Sequence, residues 1–327
     1  MTEGNDFKFY AGDGSTMSMR GTRLPLYEKV AALNDPAGYL ADRGLRDAVN
    51  VALTLGQPLL VTGEPGTGKT QLASSIAHEL DLPAPLIFHT KTTSTAKDLF
   101  YRYDALRHFH DAQFREEAAP IETYITYEAL GQAILLSMNP AEANPFLPER
   151  MRNWGPIRSV ILIDEIDKAP RDLPNDVLNE IENMSFTVKE TGRTFAAEQS
   201  YRPILVLTSN SEKNLPDAFL RRCVFYHIAF PNRDRLKEII QRRLKLDSSF
   251  TPQMLDNAIL HFEKIRDLTL KKKPATAELL AWIRILEKRQ LDVSRLKPGE
   301  AEALAFTYSI LAKSREDQEM IVQNLQR

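Results

Sequence analysis

Residues 61 to 71 read VTGEPGTGKTQ and combine three glycines with a lysine and a threonine at fixed spacing. Gly63, Gly68, Lys69 and Thr70 fit the pattern G-x-x-x-x-G-K-[ST], between an apolar run and a helical pattern. In such a loop, backbone N–H groups surround phosphate oxygens, the lysine reaches the outer phosphates and the hydroxyl binds Mg²⁺. The stretch therefore predicts a site for ATP and Mg²⁺ formed by Gly63, Glu64, Pro65, Gly66, Thr67, Gly68, Lys69, Thr70 and Gln71.

Two acidic residues follow a second apolar run, in the sequence VILIDE. Asp164, at the end of that predicted strand, is a candidate Mg²⁺ ligand together with Thr70, and Glu165 is a candidate for polarising an attacking water. An isolated Asp–Glu pair after a strand is more often a solvated strand end. The phosphate-loop motif upstream favours the catalytic interpretation, because in-line attack on a γ-phosphate needs both a metal and a group that orients water.

Two further groups follow the acidic pair along the chain. Asn210 ends the run PILVLTSN, where its amide is expected to reach the same water. Arg221 and Arg222 lie in NLPDAFLRRC, just before a fifth apolar run. An arginine pair is usually a solvated surface, but this placement predicts a charge offered to the γ-phosphate of a neighbouring subunit. Such an arginine finger changes the rate by about 10³- to 10⁵-fold.

The elements that position these residues are predicted by hydrophobic patterning. Helical patterns alternate with short apolar runs, which favours a parallel sheet covered by helices on both faces. After Pro231 the strands stop, and the remaining stretches carry apolar residues at three- and four-residue spacing. The expected fold class is α/β, a five-stranded parallel sheet followed by an all-helical domain. The five runs are LLVTG from Leu59, LIFHT from Leu86, VILIDE from Val160, PILVLTSN from Pro203 and VFYHIAF from Val224.

These motifs, in this order, resemble those of AAA+ ATPases over roughly residues 23–327, and more narrowly those of the dynein-related MoxR group. DLFYRYDALRHFHDAQF from Asp98 lies where that group inserts a segment into its second helix, which implies an insert over about residues 96–130. FTVKETGRTFAAE from Phe186 is similar to a hairpin insert, over about 186–198, with Thr191-Gly192 as its turn. The stretch TSNSEKNLPDAFLRRC closely matches the group's link between the amide sensor and the arginine finger.

The resemblance also implies domain limits and partners. Residues 1–22 are expected to be a flexible extension, 23–230 the P-loop ATPase core and 231–327 a helical lid. MoxR relatives act as ring ATPases that remodel or mature protein partners or metalloenzymes, often with a von Willebrand type A domain protein. The chain is therefore expected to form a homo-oligomer, a hexamer, with its inserts facing the ring axis or a partner.

The lid departs from the MoxR pattern at one position. Relatives often carry a nucleotide-contacting arginine in a Ser-Pro-Arg context, whereas this chain reads KKKPATAELLAW, with Ala275 after Pro274. Either one of the lysines replaces that charge, or all three belong to a solvated turn. The adenine pocket is expected near Tyr39 and Leu40 and the lid. The lysines in question are Lys271, Lys272 and Lys273.

Composition limits the classes of function that remain. The formal net charge of −2 provides no overall basic field for nucleic acid, so nucleic-acid partners are not expected. One cysteine, Cys223, excludes an internal disulfide framework and is typical of a reducing compartment. No apolar run is long enough to span a membrane and no signal-peptide core is visible, so we expect a cytoplasmic protein without membrane insertion.

Three other functions are compatible with a phosphate loop. A nucleic-acid motor of the helicase, clamp-loader or defence type is permitted by the architecture. A GTPase or small-molecule kinase is disfavoured because a guanine-reading NKxD motif is absent and Glu165 follows Asp164. A nucleotide-gated scaffold without turnover also remains open.

Several other residues are interpreted as structural. His108 and His110 are more often surface or core residues than metal ligands, and Trp282 is expected in the lid core. The charge of Arg222 favours a lowered thiol pKa for Cys223, but no base or partner cysteine is visible. The aromatic residues Phe100, Tyr101, Tyr103 and Phe109 are expected to pack, with a partner surface as the alternative.

Overall fold

A computed structural model describes residues 35–114, 119–211 and 215–325. The predicted flexible segment 1–22, and the limit between it and the core, lie outside these ranges. Within the described residues, no helix is long and apolar enough to cross a membrane.

A five-stranded parallel sheet forms the centre of the part of the chain before residue 230. In the order in which they lie side by side, its strands are β2 (Leu86–His89), β5 (Val160–Asp164), β8 (Ile204–Ser209), β1 (Leu59–Gly63) and β9 (Val224–Ile228). All five apolar runs predicted as strands are in this sheet, so the predicted fold class is confirmed. Strands β5, β8 and β1 are neighbours, and their carboxyl ends therefore meet at one edge, where ligands bind in open α/β sheets.

Helices cover both faces of this sheet because successive strand residues point to opposite sides. On one face, Val61 and Val206 pack with residues of α1 (Arg43–Leu55) and α2 (Lys69–Glu79). On the other face, Leu60 and Leu207 pack with α4 (Ala129–Ser137) and with smaller elements. The other helices of this domain are α3 (Ala105–Phe114), α5 (Pro140–Ala143), α6 (Leu173–Asp176), α7 (Leu178–Asn183) and α8 (Asp217–Leu220).

Two small antiparallel strand pairs lie outside the main sheet. One pairs β3 (Tyr101–Tyr103) with β4 (Ile125–Tyr127), and α3 lies between them in the chain. The other is a hairpin of β6 (Ser185–Val188) and β7 (Arg193–Ala196), in whose turn Gly192 donates its N–H to the Val188 oxygen at 2.8 Å. Short 3₁₀ turns occupy 36–38, 96–99, 121–124, 144–146, 149–151, 166–168 and 199–201.

Aromatic rings join the two pairs. The Phe186 ring lies 5.1 Å from that of Phe100 and 5.4 Å from that of Phe195. Phe100 and Tyr101 are buried, as the packing interpretation expects, whereas Phe109 is 63% exposed. These rings make the hairpin and the β3–β4 pair one packed unit on the face of the sheet that carries Leu60.

We expect Phe186→Ala to lower the free energy of unfolding by about 3–5 kcal/mol, because it leaves a cavity among rings that are already packed. Phe109→Ala is the matched control and should change it by less than about 0.5 kcal/mol, since that ring is largely in solvent. Urea unfolding followed by circular dichroism measures both values. Equal effects from the two variants would contradict this packing.

From residue 233 to residue 325 the regular elements are all helices, and this helical region, predicted as the lid, is called the lid below. Its helices are α9 (Arg233–Arg243), α10 (Pro252–Asp267), α11 (Thr276–Arg289), α12 (Glu300–Thr307) and α13 (Arg315–Leu325). Side-chain caps begin three of them: Asn232 accepts from the Arg235 N–H at 3.0 Å, Thr251 from the Met254 N–H at 3.3 Å and Ser314 from the Asp317 N–H at 3.2 Å. Trp282 is fully buried at the centre, as predicted, and donates to the Thr307 hydroxyl at 2.8 Å.

Candidate active site

The phosphate-loop motif forms the turn between β1 and α2, and its glycines are required by the backbone there. Gly63 has φ 148°, and a Cβ on it would lie 2.5 Å from the Ile228 carbonyl oxygen. Gly66 has φ 75°, and a Cβ on it would lie 2.5 Å from the Ala275 Cβ of the lid. A side chain at either position would fill space that the loop and its neighbours already use. The path of the loop therefore depends on glycine at these two positions.

Lys69 lies inside this loop, with only 7% of its surface exposed. Its ammonium donates to the carbonyl oxygens of Gly63 at 2.7 Å and Glu64 at 3.0 Å, and to Asn210 Oδ1 at 3.0 Å. Burial lowers the pKa of Lys69, and the carboxylates of Asp167 and Asp164 oppose that shift. The structure therefore brings together Lys69 and Asn210, two of the predicted site residues, across the ends of β1 and β8.

Asp164 connects the end of β5 to both neighbouring strands. Its Oδ1 accepts from the Thr70 hydroxyl at 3.0 Å and from the Thr208 hydroxyl at 2.6 Å. Its Oδ2 lies 3.6 Å from His89 Nδ1. A carboxylate and a hydroxyl in contact form a typical protein donor set for Mg²⁺ beside a triphosphate. Thr70 and Asp164, the predicted metal ligands, are thus adjacent.

Glu165 follows directly, in the left-handed region of backbone conformation with φ 56°. Its N–H donates to Thr208 Oγ1 at 2.9 Å, and its carboxylate accepts a hydrogen bond from Lys168. The neighbouring Asn210 N–H donates to Asp167 Oδ1 at 3.3 Å. Sequence reasoning missed Thr208, Asp167 and Lys168. The only available signal for them was their position, within three residues of a predicted site residue.

The arginine pair follows α8, and its two members have different surroundings. Arg222 donates through Nε to Glu182 Oε2 at 3.3 Å and through Nη1 to the Ala218 oxygen at 3.1 Å. Arg221 is exposed, and its side chain has no hydrogen-bond or ion-pair partner within the described parts of the chain. Of these two arginines, Arg221 is thus the one whose guanidinium has no partner among the described residues.

A lid cation that sequence reasoning missed reaches the phosphate loop. Arg266 Nη2 donates to Glu64 Oε2 at 2.8 Å. The three lysines at 271–273 are exposed instead; the Lys271 ammonium lies 3.3 Å from Glu316 Oε1, and the Lys271 N–H donates to Asp317. Arg266 was missed because a cation near the end of an amphipathic helix has no sequence feature that separates it from a solvated charge.

The expected adenine side of the loop contains Tyr39, whose ring would lie 3.2 Å from a Cβ placed on Gly68. Arg243, 7% exposed, lies beside it and donates to Gln71 Oε1 and to the Asp35 oxygen, both at 2.9 Å. Contacts from the segment before the loop, from the loop itself and from the lid therefore meet here.

Two residues interpreted as structural have surroundings that agree with that interpretation. Burial raises the pKa of the Cys223 thiol to about 12, so the lowering expected from the adjacent arginine does not occur. His108 stacks on Tyr124 at 4.6 Å between ring centroids and is hydrogen-bonded to Tyr103.

The donor set fits a nucleoside triphosphate with Mg²⁺. The loop between β1 and α2 presents a lysine and the N-terminus of a helix, which favour negative charge, and Thr70 with Asp164 offers hard oxygen ligands. A parallel sheet with this loop at the carboxyl end of an inner strand defines the class of P-loop nucleotide-binding proteins.

The family follows from comparison with known domains. A family model described as the AAA domain of the dynein-related subfamily matches residues 58–223, just over half of the 327 residues. The chain therefore belongs to the AAA domain family, dynein-related subfamily, whose members generally bind and hydrolyse ATP, typically with Mg²⁺. The match ends at Cys223, before β9 and the helical domain. No curated protein matches the chain.

Proposed function

We propose that the protein is an Mg²⁺-dependent ATPase of MoxR type, which acts as a ring and remodels or matures a protein partner or metalloenzyme. The observation that carries the ATPase part is a pair of hydrogen bonds, Lys69 to Asn210 and Thr70 to Asp164, at the ends of three neighbouring strands. ATP hydrolysis needs groups that bind the phosphates, groups that bind the metal and a group that orients water, all at one place.

In this proposal each residue has one task. Bound Mg²⁺–ATP supplies the phosphoanhydride bond that is cleaved and the charge neutralisation that the reaction needs. Lys69 and the loop N–H groups bind the phosphates, and Thr70 and Asp164 hold the metal. Glu165 accepts a proton from the attacking water, and the Asn210 amide orients that water.

The ring is supported by the surroundings of Arg221. Its side chain is exposed and without a hydrogen-bond or ion-pair partner among the described residues, as a finger directed at the next protomer requires. We propose a homohexamer in the cytoplasm with a von Willebrand type A domain partner, and these proposals rest on the resemblance to MoxR proteins.

The partner contact is proposed for α3. This helix buries Asp111, whose Oδ2 accepts from the Tyr124 hydroxyl at 3.1 Å. It exposes its large apolar side chains instead: Leu106 is 83%, Phe109 63% and Phe114 73% exposed. A helix that buries a carboxylate and exposes apolar side chains is typical of a surface that another protein covers.

The experiment that tests the function is phosphate release from the purified protein with ATP or GTP, with and without Mg²⁺. We expect turnover that prefers ATP, stops when EDTA removes the metal, and changes less than about twofold with DNA or RNA. Stimulation by nucleic acid of tenfold or more would favour the motor function instead. Absence of metal-dependent phosphate release would contradict the ATPase proposal itself.

A further inference from the structure

The lid contacts the phosphate loop at Ala275, which follows Pro274. Ala275 is 7% exposed, and its Cβ occupies the space that a side chain on Gly66 would need. The contact of the lid with this part of the loop is therefore made by a buried methyl group, which carries no charge.

Arg266, at the end of α10, carries the cation that reaches this contact. Its side chain is only 11% exposed, and its guanidinium carbon lies 3.4 Å from the centroid of the Phe230 ring. One guanidinium nitrogen donates to the Pro274 carbonyl oxygen, just before Ala275, and another to the Glu64 carboxylate. The stacking and the hydrogen bond to the carbonyl oxygen fix the guanidinium within the lid. When the lid moves, the guanidinium therefore moves with it relative to Glu64.

Glu64 transmits this contact to the part of the loop that binds phosphate. Its backbone oxygen accepts from the Lys69 ammonium at 3.0 Å and from the Thr67 hydroxyl at 2.8 Å. A displacement of Glu64 by the lid therefore moves an acceptor of the lysine. The ion pair therefore joins the lid to the loop through the Glu64 side chain.

We propose that Arg266 is a positioning residue that couples the lid to nucleotide binding through the Glu64 carboxylate, in place of an arginine that contacts the nucleotide directly. The inference rests on the proposed ATPase function. It predicts that the pair holds the loop in its binding conformation, so that breaking it weakens ATP binding and leaves the chemical step largely unchanged.

The test is a double-mutant cycle with Glu64→Gln, Arg266→Gln and the double variant. Because Glu64 is half-exposed, we expect about a fivefold rise in KM and in the Kd of a fluorescent ATP analogue for Glu64→Gln, with kcat within about twofold. The double variant should be no weaker than Arg266→Gln alone, since the two residues act as one unit. Arg266→Lys keeps the charge and should bind ATP more tightly than Arg266→Gln, but it loses the stacking on Phe230 and should not reach the wild-type Kd.

The control is Arg315→Gln, which breaks a lid ion pair with Glu319 far in sequence from the loop and should leave KM unchanged. The coupling would be contradicted if Glu64→Gln bound the ATP analogue with the same Kd as the wild type. It would also be contradicted if the rise in Kd of the double variant were the product of the rises in the two single variants. Either result would leave the ATPase proposal intact, because that depends on phosphate release by the wild type. Thermal unfolding of each variant verifies that the lid remains folded.

Discussion

Replacing Arg221 with alanine should lower ATP turnover by about 10³-fold or more, while the Kd for ATP stays within about twofold. The expected loss is large because a guanidinium beside the γ-phosphate stabilises charge that develops only in the transition state. In the proposed ring, Arg221 belongs to a different protomer from the loop that holds the nucleotide, so ATP binding should be retained. The measurements are steady-state phosphate release and binding of a fluorescent ATP analogue.

Arg222→Ala is the matched control for this prediction. Arg222 already donates to Glu182 and to the Ala218 oxygen of its own protomer, and the Glu182 pair is largely exposed. Such a pair contributes little to stability, and its guanidinium is not free to reach a neighbour. We expect turnover within about tenfold of wild type. A larger loss for Arg222→Ala than for Arg221→Ala would reverse the assignment.

Mixing two variants tests whether Arg221 acts on the nucleotide of a neighbouring subunit or on that of its own subunit. Arg221→Ala retains a complete phosphate loop, whereas Lys69→Ala retains a complete finger. Combined in one ring, they form interfaces in which one protomer supplies Lys69 and the next supplies Arg221. We expect the mixture to hydrolyse ATP faster than either variant alone. A mixture no faster than the single variants, or hydrolysis at the full rate by a diluted monomer, would contradict the proposed ring.

The strands of the ATPase core could be predicted because burial on both faces leaves continuous apolar runs. The run LLVTG matches β1 from Leu59 to Gly63, and VILID matches β5 from Val160 to Asp164. Residues that follow the two strands were recognisable as candidates, since the carboxyl ends of parallel strands share one edge. The sequence did not predict which strands are neighbours in the sheet. The order β5-β8-β1 brings Asn210, after β8, within hydrogen-bond distance of Lys69, after β1.

Contacts between distant parts of the chain could not be predicted. Thr208 supports both Asp164 and the Glu165 N–H, but a threonine inside a strand is ordinary β-sheet composition. Arg266 and Glu64 are separated by most of the ATPase core, and their pairing depends on how the lid packs against the loop. Patterning gives the apolar face of each helix, whereas the orientation of a whole domain is decided by contacts such as Ala275 on Gly66.

Glu165→Gln should retain ATP binding and lower turnover by about 10²- to 10⁴-fold, because the amide cannot accept the proton of the attacking water. The Glu165 carboxylate also accepts a hydrogen bond from Lys168, so a variant of Lys168 can be compared with Glu165→Gln. Lys168→Met removes only that bond and should keep turnover within about tenfold of wild type, since the carboxylate itself remains.

Phosphate release and analogue binding are measured for both variants, with Glu198→Gln as an exposed control outside the site. Unchanged release from Glu165→Gln would favour a nucleotide-gated scaffold, in which any phosphate measured comes from a contaminant. Loss of binding in Glu165→Gln would assign the carboxylate to nucleotide or metal retention instead. Only the combination of intact binding and lost release identifies a group that acts on water, since a residue that merely supports the fold would weaken both.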